Sequence, residues 1–152
     1  MKNFLETVKR FLKENGPVLL ISTALIIFYY GALLIHPQSF LFNGSGDGLK
    51  NYYTYAWYIQ KNLLSVEFSG MNYPFGEHLL YTDCHPLPAY LIKLLSNIHP
   101  IFAENCIGIL NLALLISPIF TALILFRILR NLQIDQPLAT ASAVGLMMLS
   151  PQ

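Results

Sequence analysis

Charge is scarce in this chain of 152 residues: 11% are Asp, Glu, Lys or Arg, against 55% hydrophobic. A soluble domain carries roughly a quarter charged residues, and here the apolar excess falls in blocks, so composition points to a membrane protein. Lys and Arg are scattered rather than striped along one face, which removes the electrostatic footprint of a nucleic-acid partner. Cysteine is equally sparse. Cys84 and Cys106 are too few for a disulfide framework and lack the paired spacing of a zinc site. Both fall on one side of the membrane in the topology below, which leaves a single disulfide open in an oxidising compartment. The apolar spans hold no ionisable residue, and so no proton relay or ion path of the kind a coupled transporter needs. There is no internal repeat or low-complexity tract.

What is present begins with a basic segment. Residues 1–16 carry Lys2, Lys9, Arg10 and Lys13, with Phe4, Leu5, Val8, Phe11 and Leu12 at helical spacing. This predicts an amphipathic helix on the membrane surface, broken by Gly16-Pro17. Val18 to Ile35 has no charge, which places a first span at about 18–36. No small-x-small cleavage site follows at Ile35-His36-Pro37-Gln38, so an uncleaved anchor is expected rather than a signal peptide. A second uncharged run covers 106–126. A third, 138–152, is too short to cross and reads as an incomplete span, so the chain is expected to be the N-terminal part of one larger transmembrane domain.

The loop 37–105 between the first two spans contains two helix candidates. Leu49 to Leu64 places Tyr52, Ala56, Ile59 and Leu63 on one face and Lys50, Thr54, Lys61 and Asn62 elsewhere. Its crowd of Tyr52, Tyr53, Tyr55, Trp57 and Tyr58 suits the headgroup level, or the stacking of sugar rings. After a breaker-rich connector, Pro86 opens a second helix with an apolar stripe of Leu87, Tyr90, Leu91, Leu94, Leu95 and Ile98, stopped at His99-Pro100. The predicted fold is therefore all-α and multispanning, with two amphipathic juxtamembrane helices in the first loop. Lys and Arg crowd the N-terminus and the connector with Arg127 and Arg130, while the loop has only Lys50, Lys61 and Lys93. By the positive-inside rule the N-terminus is cytoplasmic and the loop extracytoplasmic, in a multi-pass protein of the cell membrane.

The densest chemistry lies just past the first span, in Asn43-Gly44-Ser45-Gly46-Asp47-Gly48. Flanking glycines free the backbone and admit a substrate, and a carboxylate there can take a proton or bind a cation. Asp47 serves equally well as a turn residue or a cap for the helix that follows. A second polar group, Glu77, His78, Asp83 and His85, could hold a phosphate, a sugar or a divalent metal together with Asp47. No pair among them has a recognised ligand spacing, and Asp83 is also placed to cap the helix at Pro86. No motif calls for a cofactor, a divalent metal being the alternative.

The layout of a span, a large external loop with an early acid, two loop helices and closely spaced further spans resembles the N-terminal part of the GT-C superfamily of integral-membrane glycosyltransferases. In sequence the likeness rests on Gly46-Asp47-Gly48, Asn72-Tyr73-Pro74-Phe75-Gly76 and Tyr81-Thr82-Asp83-Cys84-His85-Pro86-Leu87. The last two strings are similar to those of bacterial membrane proteins with this architecture. The paired Asp-Glu that protein mannosyltransferases carry in this loop is not found here. The resemblance implies transfer of a sugar from a polyprenyl-phosphate carrier to an external acceptor, with inversion and with Asp47 as general base. Lys50, Tyr73, Asp83 and His85 are the expected substrate contacts, and the expected partners are the lipid-linked sugar and the bilayer. The alternative is a non-catalytic transporter or assembly subunit for lipid-linked saccharides, which needs binding but no base.

Overall fold

The computed structural model describes residues 2–61 and 63–149. Asn62, the side chains of Lys2, Phe4 and Leu5, and residues 150–152 of the expected third span lie outside the described residues. The elements are α1 (Lys2–Ile35), α2 (Gly46–Lys61), β1 (Glu67–Phe68), β2 (Glu77–His78), α3 (Pro86–Ile98), α4 (Ile101–Glu104), α5 (Cys106–Asn131) and α6 (Gln136–Leu149). The described residues are mostly helical, as the periodicity predicts, and include one antiparallel ladder pairing Glu67 with His78 and Phe68 with Glu77.

Two helices, over Glu6–Ile35 and Cys106–Asn131, are long and apolar enough to cross a bilayer, each with a mean hydropathy of 2.4 in its most apolar window. Only 22% and 33% of those windows are buried within the protein, whereas the core helix of a soluble domain is mostly buried. Exposed apolar surface on that scale supports membrane association. The expected break at Gly16-Pro17 does not occur. Instead α1 runs through Pro17 and leaves helical geometry at Tyr30 (φ −121°, ψ 21°). Pro17 costs one backbone hydrogen bond, but Asn15 and Val18 on either side of it are both buried, so packing holds the helix on course. The 14 residues of α6 reach roughly 21 Å, less than a hydrocarbon core of about 30 Å.

The chain divides into two compact units: residues up to Gly31 with those from Ala113 onward, and Ala32–Leu112. In the first unit, Val18 of α1 joins Ala122 and Phe126 of α5 and Ala139, Ala143, Val144 and Met147 of α6 in one buried cluster. Alanines at these positions let helix backbones come close, which is how helices associate where lipid removes the hydrophobic drive.

The second unit is built around aromatic rings. Tyr52, Tyr55 and Tyr58 are all buried, so most of the tyrosines expected at the headgroup level form a core instead. Most of the stripe predicted on α3 faces outward: Leu87, Leu91, Leu94, Leu95 and Ile98 are exposed, while Ala89, Ile92 and Lys93 pack inward. Lys93 Nζ donates to the Ile59 carbonyl at 2.8 Å. That oxygen is among the last four of α2, which lack helical donors, and a cation at a helix C-terminus is favourable. Burial lowers the Lys93 pKa. The two cysteines are free and buried, against the disulfide left open above. Each sulfur has its own polar neighbour: Thr82 Oγ1 lies 2.8 Å from Cys84 Sγ, and Gln60 Nε2 lies 3.9 Å from Cys106 Sγ.

Asn111 of α5, fully buried, ties this unit together. Its amide nitrogen donates to the carbonyls of Pro37 and Phe40, each at 2.7 Å, and its oxygen accepts from the Tyr52 hydroxyl. The Tyr52 oxygen in turn accepts from the Phe42 amide at 3.3 Å. Gln38 adds a second clamp, accepting from Gly108 N at 2.6 Å and donating to the Glu104 carbonyl at 2.9 Å. A Cβ on Gly108 would sit 3.0 Å from the Gln38 side-chain oxygen, so any side chain there would crowd this contact. Segment 37–42 is thus held on both sides, and it delivers the chain into α2.

The tyrosines separate two costs. Tyr52→Phe leaves the buried Asn111 oxygen without its donor and is expected to destabilise by about 1–3 kcal/mol. Tyr55 has no hydrogen-bond partner for its buried hydroxyl, so Tyr55→Phe is expected to be neutral or stabilising by about 1 kcal/mol. Burial also holds the Tyr55 phenol above its ordinary value. Its proton is kept longer in the folded state, so wild-type stability is expected to fall more steeply than that of Tyr55→Phe above about pH 10. Thermal unfolding midpoints in detergent, measured across pH, check both statements.

Candidate functional site

The site is assembled from the first turn of α2 and the connector that precedes α3. α2 begins at Gly46, three residues before the predicted start, so Asp47 lies inside its first turn rather than ahead of it. Both glycines have a reason. Gly46 is left-handed (φ +54°), which disfavours any side chain, and a Cβ on Gly48 would lie 2.5 Å from the Asn43 side chain. Asn43 in turn accepts from Ser45 N at 3.1 Å and Ser45 Oγ at 3.2 Å, closing the turn. The Asp47 side chain is 97% exposed. A carboxylate at a helix N-terminus is favourable for the helix, and here it also stands open to any molecule that approaches.

Asp47, Lys50, Asn51 and Thr54 recur at helical spacing and form one polar stripe on α2. The connector docks along it. Lys50 Nζ lies 2.6 Å from Asp83 Oδ2 and 3.9 Å from Asp47 Oδ1. Thr54 Oγ1 reaches the Asp83 carbonyl at 3.3 Å. With its nitrogen turned toward two carbonyl acceptors, the Asn51 amide donates to Asp83 O at 2.8 Å and to Asp47 O at 3.1 Å. The hydrogen bond and charge of Asp83 raise the Lys50 pKa, with smaller contributions from Asp47 and Glu77. Lys50 is therefore a cation flanked by two carboxylates. Asp83 turns to Lys50, and α3 begins without a side-chain cap.

The other expected contacts are placed less uniformly. His85 precedes Pro86 in a left-handed conformation (φ 50°, ψ 69°), uncommon for a residue with a side chain. It is half-buried. Strain of that kind concentrates at functional positions. Tyr73 lies at the tip of the turn between β1 and β2, 93% exposed and followed by a cis peptide bond to Pro74. That turn is closed by the Asn72 carbonyl, which accepts from Phe75 N and Gly76 N at 2.9 and 3.0 Å. The Asn72 amide also donates to Glu77 Oε2 at 2.7 Å. His78 is used structurally: its Nδ1 accepts from Leu80 N at 3.2 Å and caps the 3-10 turn Leu79–Tyr81. Among the described residues no three His, Cys, Asp or Glu side chains are grouped so as to hold a metal ion.

Asp47 and Asp83, from two separate sequence strings, meet at one lysine. Sequence reasoning named Asp47, Lys50 and Asp83 but not Asn51 and Thr54, which fasten the connector to the helix. Their spacing of four and seven residues from Asp47 is the signal that identifies them.

No curated protein and no solved structure matches the chain. Residues 19–152 match the family described as Domain of unknown function (DUF6311), and the chain belongs to that family.

Proposed function

We propose that the chain is a membrane glycosyltransferase of the GT-C type, with Asp47 as the general base. The observation that carries this reading is an open carboxylate, 97% exposed, in the first helical turn of α2 and 3.9 Å from a lysine that is itself paired with Asp83. A general base must reach the hydroxyl proton it removes, and a base on a helix is held more accurately than one on a loose loop. As the acceptor oxygen bonds to the anomeric carbon, its proton passes to Asp47. The bond from that carbon to the phosphate oxygen breaks, with inversion, and the polyprenyl phosphate leaves with its electron pair. Lys50 would turn from Asp83 toward the negative charge that develops on that phosphate, with Asp83 setting its position beforehand.

Tyr73 offers an exposed ring for a sugar face, and His85 supplies imidazole at the same connector. No cofactor enters the scheme. The exposed apolar stripe of α3 supports a location at the bilayer surface, where a lipid-linked donor presents its sugar. The positive-inside pattern supports a multi-pass protein with a cytoplasmic N-terminus and an extracytoplasmic loop 37–105.

Transfer from a polyprenyl-phosphate sugar is expected to fall by about 10²–10⁴-fold in Asp47→Asn. Helix content should be unchanged, because the side chain is exposed. Near wild-type turnover in that variant sinks the base role, and a wild-type protein that binds the lipid-linked sugar without turnover points to transport or assembly instead. A reporter fused after Leu64 is expected to read as extracytoplasmic. A cytoplasmic signal there would rule out the mechanism, since donor and loop would lie on opposite sides.

A further inference from the structure

The first unit contains a second polar feature that shares no residue with the Asp47 site. A cavity of about 470 Å³ is lined by Glu14, Asn15, Arg127, Arg130, Asn131 and Gln136. Arg127 and Arg130 are one helical turn apart on α5. The Arg127 guanidinium lies over the Phe11 ring, 5.2 Å from its centre, and one Arg130 nitrogen donates to the Ile134 carbonyl at 2.6 Å. Stacking and a single backbone bond hold both groups in place and leave most of their donors unused, since a guanidinium carries five N–H groups. Glu14 is engaged elsewhere: Arg10 Nε binds its carboxylate at 2.9 Å. Among the described residues no carboxylate lies within ion-pair distance of Arg127 or Arg130. The cavity has two cations, the side-chain amides of Asn15, Asn131 and Gln136, and one carboxylate, Glu14, that pairs with Arg10 rather than with either arginine of the cavity.

Gln136 also lines a second hollow, of about 520 Å³, whose other walls include Pro17, Ile21, Pro137, Ala141 and Val144. A basic polar chamber and an apolar groove thus have Gln136 as a common wall. A soluble anion would fill the first and leave the second empty. An apolar molecule would do the reverse. We infer that this unit binds an anionic lipid, with its phosphate on Arg127 and Arg130 and one hydrocarbon chain in the groove beside Gln136. Paired arginines match phosphate geometry through parallel N–H donors. Basic pockets between membrane helices are where anionic headgroups settle, and both long helices here expose the apolar surface that a bilayer covers. The site holds a lipid as a bound component of the helical unit, independent of whether the Asp47 site performs transfer.

The test uses the full chain in a neutral detergent, titrated with dioleoyl phosphatidylglycerol and read by native mass spectrometry and by the thermal unfolding midpoint. Retained lipid and a raised midpoint are expected for the wild type. Dioleoyl phosphatidylcholine, with the same chains and no net charge, is expected to bind about tenfold more weakly or worse, as is phosphatidylglycerol to the Arg127→Gln/Arg130→Gln double variant. Ala141→Trp places a large ring in the groove from an exposed position and is expected to reduce lipid retention with the arginines intact. Lys13→Gln, which removes a basic charge outside the cavity, is expected to bind like the wild type. Equal binding of the two lipids, undiminished binding by the double variant, or an equal loss in Lys13→Gln would overturn the proposal. So would full stabilisation by inorganic phosphate alone, which would make the ligand a soluble anion.

Discussion

The buried amide of Asn111 is the constraint on which the loop unit depends. A side-chain amide inside an apolar helix must find partners for its donors and its acceptor or carry the cost of leaving them unmade. Here it meets that demand with two carbonyls of segment 37–40 and the hydroxyl of Tyr52. The partners come from three places in the sequence, and satisfying them at once fixes where the chain leaves α1 and where α2 starts. Gln38 repeats the arrangement one turn earlier on α5, through Gly108.

From that anchor the site follows by short steps. Segment 37–42 is held, so the Asn43 turn is held, and Gly46 and Gly48 let α2 begin directly beneath it. The polar stripe of α2 then receives the connector through Thr54 and Asn51, which bring Asp83 to Lys50. None of these surface contacts is strong alone, because water screens an exposed ion pair and competes for its hydrogen bonds. Their effect is geometric. They leave Asp47 as the open carboxylate in an arrangement where Lys50 is already turned toward Asp83.

Elements that depend on local pattern were legible in the sequence. The long apolar runs, Pro86 at the start of α3, and the turn chemistry around Asp47 are set by hydropathy, ring closure and glycine, all properties of adjacent residues. Elements that depend on partners were not. Pro17 reads as a breaker, yet α1 passes through it because Asn15 and Val18 are packed. The tyrosines of α2 read as an interfacial belt, yet three of them are buried, because α3 turns Ala89, Ile92 and Lys93 rather than its leucines inward. The cysteines left open as a pair remain free, each sulfur having found its own neighbour.

The sequence by itself determined that the chain is helical, that two segments are long and apolar enough for a bilayer, and that Asp47 follows the first of them within a glycine-rich turn. Those features arise from composition and spacing along a single segment. Only the tertiary structure decided that Asp83 stands 2.6 Å from Lys50, that Asn111 organises the loop unit, and that two arginines share a chamber walled by the same Gln136 as an apolar groove. Each joins residues far apart in the chain, and whether a polar side chain has a partner depends on which surfaces pack together, information that no local pattern contains.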